Sequence, residues 1–393
     1  MTRMNPVYMD NNATTPVRPE VAEVINRYLG PAFGNPNSIH RFGRKARSAV
    51  EVAREHAANL IGALSLEEII FTSGGTESDN WALRGAVSAA GGGGHIVTSA
   101  IEHSAILDTC EVLEKSGVEI TYISPDRKGL VSAGEVAAAI RPDTRIVSIM
   151  WANNEVGTVQ PIENIGALCR DKGILFHTDA VQGIGKLSID VNLACVDLLS
   201  ASGHKINASK GVGFLYIRNG IYIDPIITGG GQERDLRSGT ENVPSIAGFG
   251  EACRIAKKEQ PSESEKIASI RDRMENEICE RIPDVVINGD PDNRVPGTSN
   301  LGFLGAEGET LLIRLDLEGF AVSTGSACSS GSTEPSHVLL AMGLPKDAVQ
   351  GSLRFSLGWG STEDDVNRLL EILPKAVERV RSIAPRVRAA SGS

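Results

Sequence analysis

The chain has 393 residues, 41% of them hydrophobic, and a formal charge of -10. A chain of this size can bury one large core or two smaller ones, and its acidity without a Lys/Arg cluster argues against nucleic acid as a partner. No apolar run reaches the roughly 18 residues of a membrane helix. The opening MTRMNPVYMD also lacks the apolar core of a signal peptide, so we expect a cytoplasmic protein with no membrane partner.

The cysteines show no CxxC pair and no regular spacing, which argues against a disulfide framework or a zinc site. We therefore expect reduced thiols and no stable metal site. The six are Cys110, Cys169, Cys195, Cys253, Cys279 and Cys328.

Short β-rich runs alternate with amphipathic stretches through the first two-thirds of the chain. The runs are, in order, EEIIFTS, HIVTSA, EITYIS, TRIVSIMWA, GILFHTDA, VDLLSAS and VGFLYIR, and the amphipathic stretches include ESDNWALRGAVSAA and SAILDTCEVLEKSG. This alternation predicts an α/β fold with a mainly parallel sheet of seven strands. Ligands of such sheets bind beyond the carboxyl ends of the strands.

The pattern changes after about residue 255. A charged helix (SESEKIASIRDRMENEICERI) precedes short strands (DVVING, TSNLGFL, GSLRFSLG) and a final helix from about Glu363. This order predicts a smaller α+β domain. We therefore expect a large domain over 16–255, a small domain over 256–393, and an N-terminal segment, 1–15, packed with the small domain.

The segment FTSGGTESDNWAL ends a strand and opens a helix. The free backbone N–H groups and the helix dipole at residues 73–76 favour an anion, such as a phosphate. The segment is neither a P-loop nor a GxGxxG fingerprint. A plain Ser/Thr helix cap explains it equally well.

Two later segments carry an acid and a lysine. GILFHTDAVQG places Asp179 just past an apolar strand, with Gln182 on the same loop, and an acid there is often a helix cap. LLSASGHKINASKG places Lys205 after a second such strand, beside Ser202 and His204. Burial disfavours a charged lysine unless it is paired or covalently used. The alternative is a surface loop lysine.

Together these residues match the needs of pyridoxal 5'-phosphate (PLP). That cofactor needs a lysine for its aldehyde, a carboxylate for its pyridine nitrogen and an anion cradle for its phosphate. Lys205, Asp179 and residues 73–76 supply these groups. His103, in SAIEHSAILD, can stack on the ring and move protons, or can simply cap a helix.

Two segments suggest an amino-acid substrate, and a third carries a thiol. Asn154 of MWANNEVGT can hydrogen-bond a carboxylate. Arg354 of GSLRFSLG lies in an apolar strand, where it needs a bidentate partner: a substrate carboxylate, or an internal Asp or Glu. Cys328 lies in STGSACSSGSTEPSH, among small polar residues that offer little packing.

These segments resemble the PLP-dependent cysteine desulfurases of the class V aminotransferase-like group. The matching segments run in order from YMDNNATTPVRPEV through GNPNSIHRFGRKAR, FTSGGTESDNWAL, IEHSAILD, ANNEVGT, FHTDAVQ, SGHK and RSGTEN to GSACSSGSTEPSHVL and RFSLG. They cover nearly the whole chain. The nitrogen-fixation type is most similar, followed by the general iron–sulfur housekeeping type. The resemblance implies PLP-dependent transferase fold type I.

The resemblance also implies a role for each matching position. Lys205 would bind the cofactor's aldehyde, Asp179 its pyridine nitrogen and Gln182 its phenolic oxygen, while His103 would stack on the ring. The phosphate would be held by residues of one subunit and a threonine of the second subunit of a homodimer. These are Gly75, Thr76, Ser202, His204 and, from the second subunit, Thr240.

The implied reaction converts L-cysteine to L-alanine, with Asn154 and Arg354 holding the substrate carboxylate and Cys328 taking the sulfur as a persulfide. An iron–sulfur scaffold protein is the implied acceptor, and Cys328 could touch a cluster there transiently. The sequence leaves nitrogenase maturation and general supply open. Rival readings are a selenocysteine lyase and a class V aminotransferase, which needs no Cys328.

The chain departs from the family's usual pattern in HKINASKG. Ala208 and Ser209 stand where a Gly-Pro or Ala-Pro pair is common. Serine lacks the constraint that proline places on the backbone, so we expect a looser loop with no loss of chemistry.

Overall fold

The computed structural model describes residues 6–324 and 335–383. The strands in these ranges are β1 (Val7–Tyr8), β2 (Ile69–Thr72), β3 (His95–Ser99), β4 (Glu119–Ile123), β5 (Thr144–Ser148), β6 (Leu175–Asp179), β7 (Leu198–Ser202), β8 (Gly213–Ile217), β9 (Val285–Asn288), β10 (Thr298–Phe303), β11 (Phe320–Ala321) and β12 (Ser352–Ser356). The α-helices are α1 (Pro19–Leu29), α2 (Arg41–Ile61), α3 (Gly75–Ala89), α4 (Ser104–Glu114), α5 (Ala133–Ala139), α6 (Ile162–Lys172), α7 (Val243–Arg281), α8 (Gly308–Leu317), α9 (His337–Ala341), α10 (Lys346–Gln350) and α11 (Glu363–Ile383).

A seven-stranded sheet organises the larger part of the molecule. Its spatial order is β2-β8-β7-β6-β5-β3-β4, and only β8 runs against its neighbours. Apart from the edge strand β4, the strands are almost entirely buried because helices cover both faces, as expected for a doubly covered parallel sheet. The predicted α/β fold with a mainly parallel sheet of seven strands is therefore confirmed.

The carboxyl ends of the parallel strands bring distant segments to one edge. The segments that follow β3, β5, β6 and β7 there contain His103, Asn154, Gln182 and Lys205, and Asp179 is the last residue of β6. A ligand at this edge would meet all of these segments, as the general rule for open α/β sheets predicts.

A second core lies in the C-terminal part of the chain. β9, β10 and β12 form an antiparallel sheet, and α8, α11 and the second half of α7 pack around it. β1 pairs in parallel with β11, so the beginning of the described chain adds Val7 and Met9 to this second core. The domain limits at 15/16 and 255/256 stay a prediction.

The long helix α7 connects the two cores. The sequence predicts a separate charged helix after about residue 255, but one helix of 39 residues spans 243–281 and contributes to both cores. Pro261 lies inside it. Proline lacks an amide hydrogen yet has a φ angle compatible with a helix, so it removes one hydrogen bond without ending the element here.

No helix in the described ranges is both long and apolar enough to cross a membrane.

A buried ion pair fixes the loop after β8 against α2. Arg54 is 2% exposed and donates to both carboxylate oxygens of Glu233 at 2.8 Å. Glu233 also accepts the backbone N–H of Phe71 at 2.8 Å. Glu233, Arg234 and Asp235 have φ angles of 46°, 59° and 64°, which residues other than glycine seldom adopt. The ion pair therefore holds a strained segment in place.

We predict that Glu233→Gln lowers the free energy of unfolding by about 3 kcal/mol, because the Arg54 guanidinium loses its buried anion and keeps only the partly exposed Glu51, 3.3 Å away. Urea denaturation measures the change. The matched control is Glu251→Gln, since its partner Arg254 is 47% exposed in the side chain, and there we expect a loss below about 1 kcal/mol. Equal losses from the two variants would contradict this account.

Candidate active site

The N-terminus of α3, where the sequence predicts an anion cradle, meets the ends of neighbouring elements. Gly74 has a φ of 151°, and a Cβ on Gly213 would lie 2.7 Å from its Cα, so the two backbones approach closely. A Cβ on Gly75 would lie 2.7 Å from Val181 Cγ2 and 3.7 Å from Ser202 Cβ. The start of α3, the loop after β6 and the end of β7 therefore meet, and Thr76 is exposed on this cradle.

Asp179 is a buried carboxyl at the sheet edge. Its Oδ1 accepts the backbone N–H of Val181 at 2.9 Å. Burial raises the pKa of Asp179, while the charges of His103 and Lys205 and the Val181 hydrogen bond oppose that rise. The carboxyl thus lies within electrostatic reach of both predicted active-site bases, where a further cationic group would hold it ionised.

Lys205 lies in a short 3-10 turn directly after β7. Its Nζ donates to the backbone oxygens of Asn12 at 2.5 Å and Ala13 at 2.8 Å, so the lysine is partly buried beneath the N-terminal loop rather than on an open surface. The adjacent His204 hydrogen-bonds Thr14 Oγ1 through Nδ1 at 3.1 Å. Burial, followed by nearby lysines, lowers the pKa of His204 to about 4. The histidine is therefore a neutral hydrogen-bonding group.

Gln182 lies four residues before a lysine, in the same turn region, that the sequence analysis does not single out. Gln182 Nε2 donates to the backbone oxygen of Asn12 at 3.0 Å, and its Oε1 accepts from Lys186 Nζ at 2.6 Å. Lys186 also donates to Asn12 Oδ1 at 3.2 Å. The four-residue spacing in QGIGK is the only sequence signal for the contact between Lys186 and Gln182. No local pattern indicates the contact between Lys186 and Asn12.

His103 begins α4 as its N-cap. Its Nδ1 accepts the backbone N–H of Ala105 at 3.1 Å, so the capping role that the sequence leaves open is present. The ring is partly exposed and interacts electrostatically with Asp179. Capping fixes one ring nitrogen as an acceptor and so orients the ring.

Arg354 and Asn154 come together although 200 residues separate them. Arg354 is 1% exposed; its Nη1 donates to the Asn154 backbone oxygen at 3.0 Å and its Nη2 to Asp10 Oδ1 at 2.7 Å. Asp10 is thus the internal carboxylate that the sequence leaves as an alternative. The Nε of Arg354 is buried and has no hydrogen-bond partner among the described residues.

Cys328 lies outside the described residues, which resume at residue 335. The last described strand contact before it joins Ser323 to Arg354 through two backbone hydrogen bonds of 3.1 and 2.7 Å. After it, Ser336 donates to Glu155 Oε2 at 2.5 Å and His337 Nε2 lies 3.0 Å from the Glu102 backbone oxygen. The described chain on either side of Cys328 is therefore attached to the same region.

Thr240 is exposed in the loop before α7. Arg237 in the same loop donates to both carboxylate oxygens of Glu77, at 2.8 and 3.1 Å, and Glu77 accepts the backbone N–H of Ser73 at 2.8 Å. The Thr240 loop is therefore tied to the first turn of α3.

A layer of buried polar groups behind Asp179 was not predicted. His177 hydrogen-bonds Ser148 and Ser200 at 2.8 and 3.0 Å, and its Nε2 lies 3.7 Å from Asp79 Oδ1. Burial lowers the pKa of His177 to about 3, so the ring is neutral. Burial, and then the Asp179 charge, raises the pKa of Asp79 well above its ordinary value. The histidine and the two serines lie in mainly apolar strand segments and Asp79 lies in α3, so no local pattern indicates that they form a polar cluster.

The donor set fits PLP. A backbone cradle at α3 suits the phosphate, Asp179 suits a protonated pyridine nitrogen, and Lys205 supplies the amine, all at one sheet edge. Among the described residues, no cluster of His, Cys, Asp or Glu has the composition of a metal site.

Comparisons with known proteins agree with this donor set. The aminotransferase class-V family matches residues 7–369. A cysteine desulfurase IscS of Dictyoglomus turgidum is 50% identical over 380 residues, which are 96% of this chain and 96% of that relative. The chain belongs to the cysteine desulfurases. Members of this family are PLP-dependent, so the chain is a PLP-dependent enzyme.

Solved structures place this cysteine desulfurase family member in PLP-dependent transferase fold type I. A NifS-like protein superposes with a TM-score of 0.90 at 38% identity, over 95% of this chain and 100% of that one. SspA in complex with cysteine superposes with a TM-score of 0.80 at 39% identity, over 89% of this chain and 98% of that one.

The buried carboxyl of Glu102 should make the stability of the folded protein depend on pH. Burial raises the pKa of Glu102 from 4.5 to about 8. A carboxyl that is harder to ionise in the folded state lowers stability as the pH rises from about 4.5 to about 8 and leaves it unchanged below that range. We expect Glu102→Gln, which can keep the acceptor for Met150 N–H, to gain stability over the parent across this window.

Unfolding midpoints measured between pH 4.5 and 9 test this expectation. Glu23→Gln, at an exposed position of α1, is the control and should show no such trend. A difference between Glu102→Gln and the parent that stays constant with pH would show that the carboxyl is not the cause.

Proposed function

We propose that this chain converts L-cysteine to L-alanine and transfers the sulfur to Cys328 as a persulfide. The observation that carries the proposal is the convergence of Lys205, Asp179 and the α3 cradle at one sheet edge, with Arg354 attached to the strand that leads toward Cys328. Relatives named cysteine desulfurase support the same reaction.

PLP, when bound, supplies an aldehyde that links to amines and a ring that accepts electrons. The chain's own groups would hold it and move protons. Asp179 would keep a proton on the ring nitrogen, because a buried carboxylate is stabilised by an adjacent cation. The Lys205 amine would take the proton from the substrate's Cα, and His103 would exchange protons on the ring face.

The substrate's carboxylate would be bound by the side chains of Arg354 and Asn154. The Arg354 guanidinium is already desolvated, and its Nε, which has no partner in the described part of the chain, leaves donor capacity beyond Asp10 and the Asn154 backbone. A charge-assisted bond to a carboxylate is strong in such a setting. The similar solved structure of SspA in complex with cysteine supports cysteine as the substrate.

The sulfur-transfer step balances without an added oxidant. The Cys328 thiolate attacks the substrate's sulfur, the carbon–sulfur bond breaks, and its electron pair stays with the three-carbon product, which gains a proton and leaves as alanine. Cysteine plus the Cys328 thiol thus give alanine plus a persulfide. Thiolate is the reactive form, so nearby cationic groups would assist the step.

We further propose that the enzyme works as a cytoplasmic homodimer that passes sulfur to an iron–sulfur scaffold protein, with nitrogenase maturation as one destination. An apolar surface supports the dimer. Leu29, Phe33, Ile39 and Phe42 are 66%, 65%, 90% and 52% exposed, and the rings of Phe33 and Phe42 stack at 5.5 Å. Large exposed apolar side chains that are close in sequence, two of them in ring contact, are typical of an interface, and a second copy would cover them.

Replacing the nucleophile tests the reaction. Cys328→Ala should abolish sulfide release from L-cysteine, because no thiol remains to take the sulfur, while the visible absorbance of the bound cofactor persists. The matched control is Cys279→Ala, at an exposed cysteine of α7, which should retain full activity. Retained turnover by Cys328→Ala would exclude Cys328 as the acceptor.

Replacing one aromatic side chain tests the dimer. We expect Phe42→Asp to shift the protein to monomers in light-scattering measurements, because a charge would enter a desolvated interface. The control is Leu317→Asp on α8, where an 80% exposed side chain lies outside this surface. If Phe42→Asp stays dimeric, the proposed interface is wrong.

A further inference from the structure

Lys186 is a partly buried lysine that the proposed reaction does not use. Its Nζ lies 2.6 Å from Gln182 Oε1 and 3.2 Å from Asn12 Oδ1, so both contacts are to neutral amide oxygens. No carboxylate of the described residues lies within ion-pair distance of it; Glu259 and Glu263 pair with Arg18 instead. A desolvated ammonium without an anion is unfavourable, and such costs are retained mostly at functional sites.

The surroundings of Lys186 are charged on several sides. Lys186 lines a cavity together with residues from the N-terminal loop, the turn after β7 and α7. Burial, followed by Lys205 and Arg354, lowers the pKa of Lys186 to about 7. The charged or titratable groups that line this cavity or act on Lys186 are Arg18, Lys205, Glu259, Glu263, Arg354 and, next to Lys205, His204.

The contact with Lys186 determines which way the Gln182 amide points. Protonated Lys186 can only donate hydrogen bonds, and the atom of Gln182 that faces its Nζ at 2.6 Å is the oxygen. The NH2 group then lies at the other side of the amide. One of its two hydrogens is used by the Asn12 backbone oxygen at 3.0 Å. The second remains to donate.

We propose that Lys186 is a positioning residue, which fixes Gln182 so that its NH2 group donates to the phenolic oxygen of PLP. The inference rests on the proposed role of Gln182 and extends it. A flipped amide would present its oxygen to the phenolic oxygen and repel it. Lys186 therefore makes Gln182 a donor to the cofactor rather than an acceptor.

The proposed role of Lys186 predicts the direction in which the pKa of the cofactor–Lys205 linkage shifts when Lys186 is replaced. A donor to the phenolic oxygen stabilises its negative charge and competes with the proton on the neighbouring cofactor–Lys205 linkage, so it lowers the pKa of that linkage. A nearby ammonium acts in the same direction. Without Lys186 both effects are lost, and we expect the pKa of the linkage to rise by about one pH unit.

The test is a pH titration of the visible absorbance of the holoenzyme, which needs no turnover. Lys186→Met should move the transition to higher pH, and Lys210→Met should leave it in place, because Lys210 is exposed. Methionine has similar length and no charge to desolvate, so we expect the variant to fold; Lys186→Leu is the second variant. An unshifted transition in both Lys186 variants would overturn the inference.

A double variant separates a structural role from a role through Gln182. Gln182→Leu should raise the same pKa, and adding Lys186→Met should then raise it by less than Lys186→Met does in the wild-type protein, because only the direct effect of the ammonium remains to be lost. Fully additive shifts would overturn the inference. If the wild-type protein shows no absorbance from a Lys205-linked cofactor, the proposed function itself fails, and this result is distinct from an unshifted transition.

Discussion

The structure depends on placing a lysine and a buried carboxyl within electrostatic reach of each other at the carboxyl edge of a parallel sheet. Asp179 and Lys205 act on each other electrostatically there, and each is costly to bury alone. The strands on either side supply the backbone, and the N-terminal loop supplies carbonyl oxygens for the lysine. Much of the nearby polar structure serves to keep these two groups in place.

The N-terminal loop accepts hydrogen bonds from several residues of the candidate site. Asn12 accepts from Lys205 and Gln182 through its backbone oxygen and from Lys186 through its side chain, and Asp10 pairs with Arg354. The preceding strand pairs with β11 of the second core. One short segment therefore links the second core to the groups that would hold both cofactor and substrate.

Local patterns were sufficient to predict much of the fold. The strands within GILFHTDA and VDLLSAS are buried on both faces, as parallel strands are, and they end in Asp179 and Ser202 of the candidate site. The continuity of α7 was not predictable because Pro261 normally marks a helix boundary. A hydrophobic pattern therefore indicates the type of an element more reliably than the residues at which the element begins and ends.

The site was predictable only where one residue carries its own signal. Lys205 and Asp179 stand out because charged groups directly follow apolar strands. Asp10, the partner of Arg354, is 344 residues away in sequence, and Asn12 joins Lys186 across 174, so no local pattern indicates either contact. Such partners follow from the fold, which depends on the whole sequence.

The most direct measurement is the reaction of the purified protein with L-cysteine in the presence of a reductant, with sulfide and alanine both quantified. The account predicts a protein with visible absorbance from the lysine-bound cofactor that releases the two products in equal amounts. Pyruvate in place of alanine, or bound cofactor with no sulfide, would contradict it.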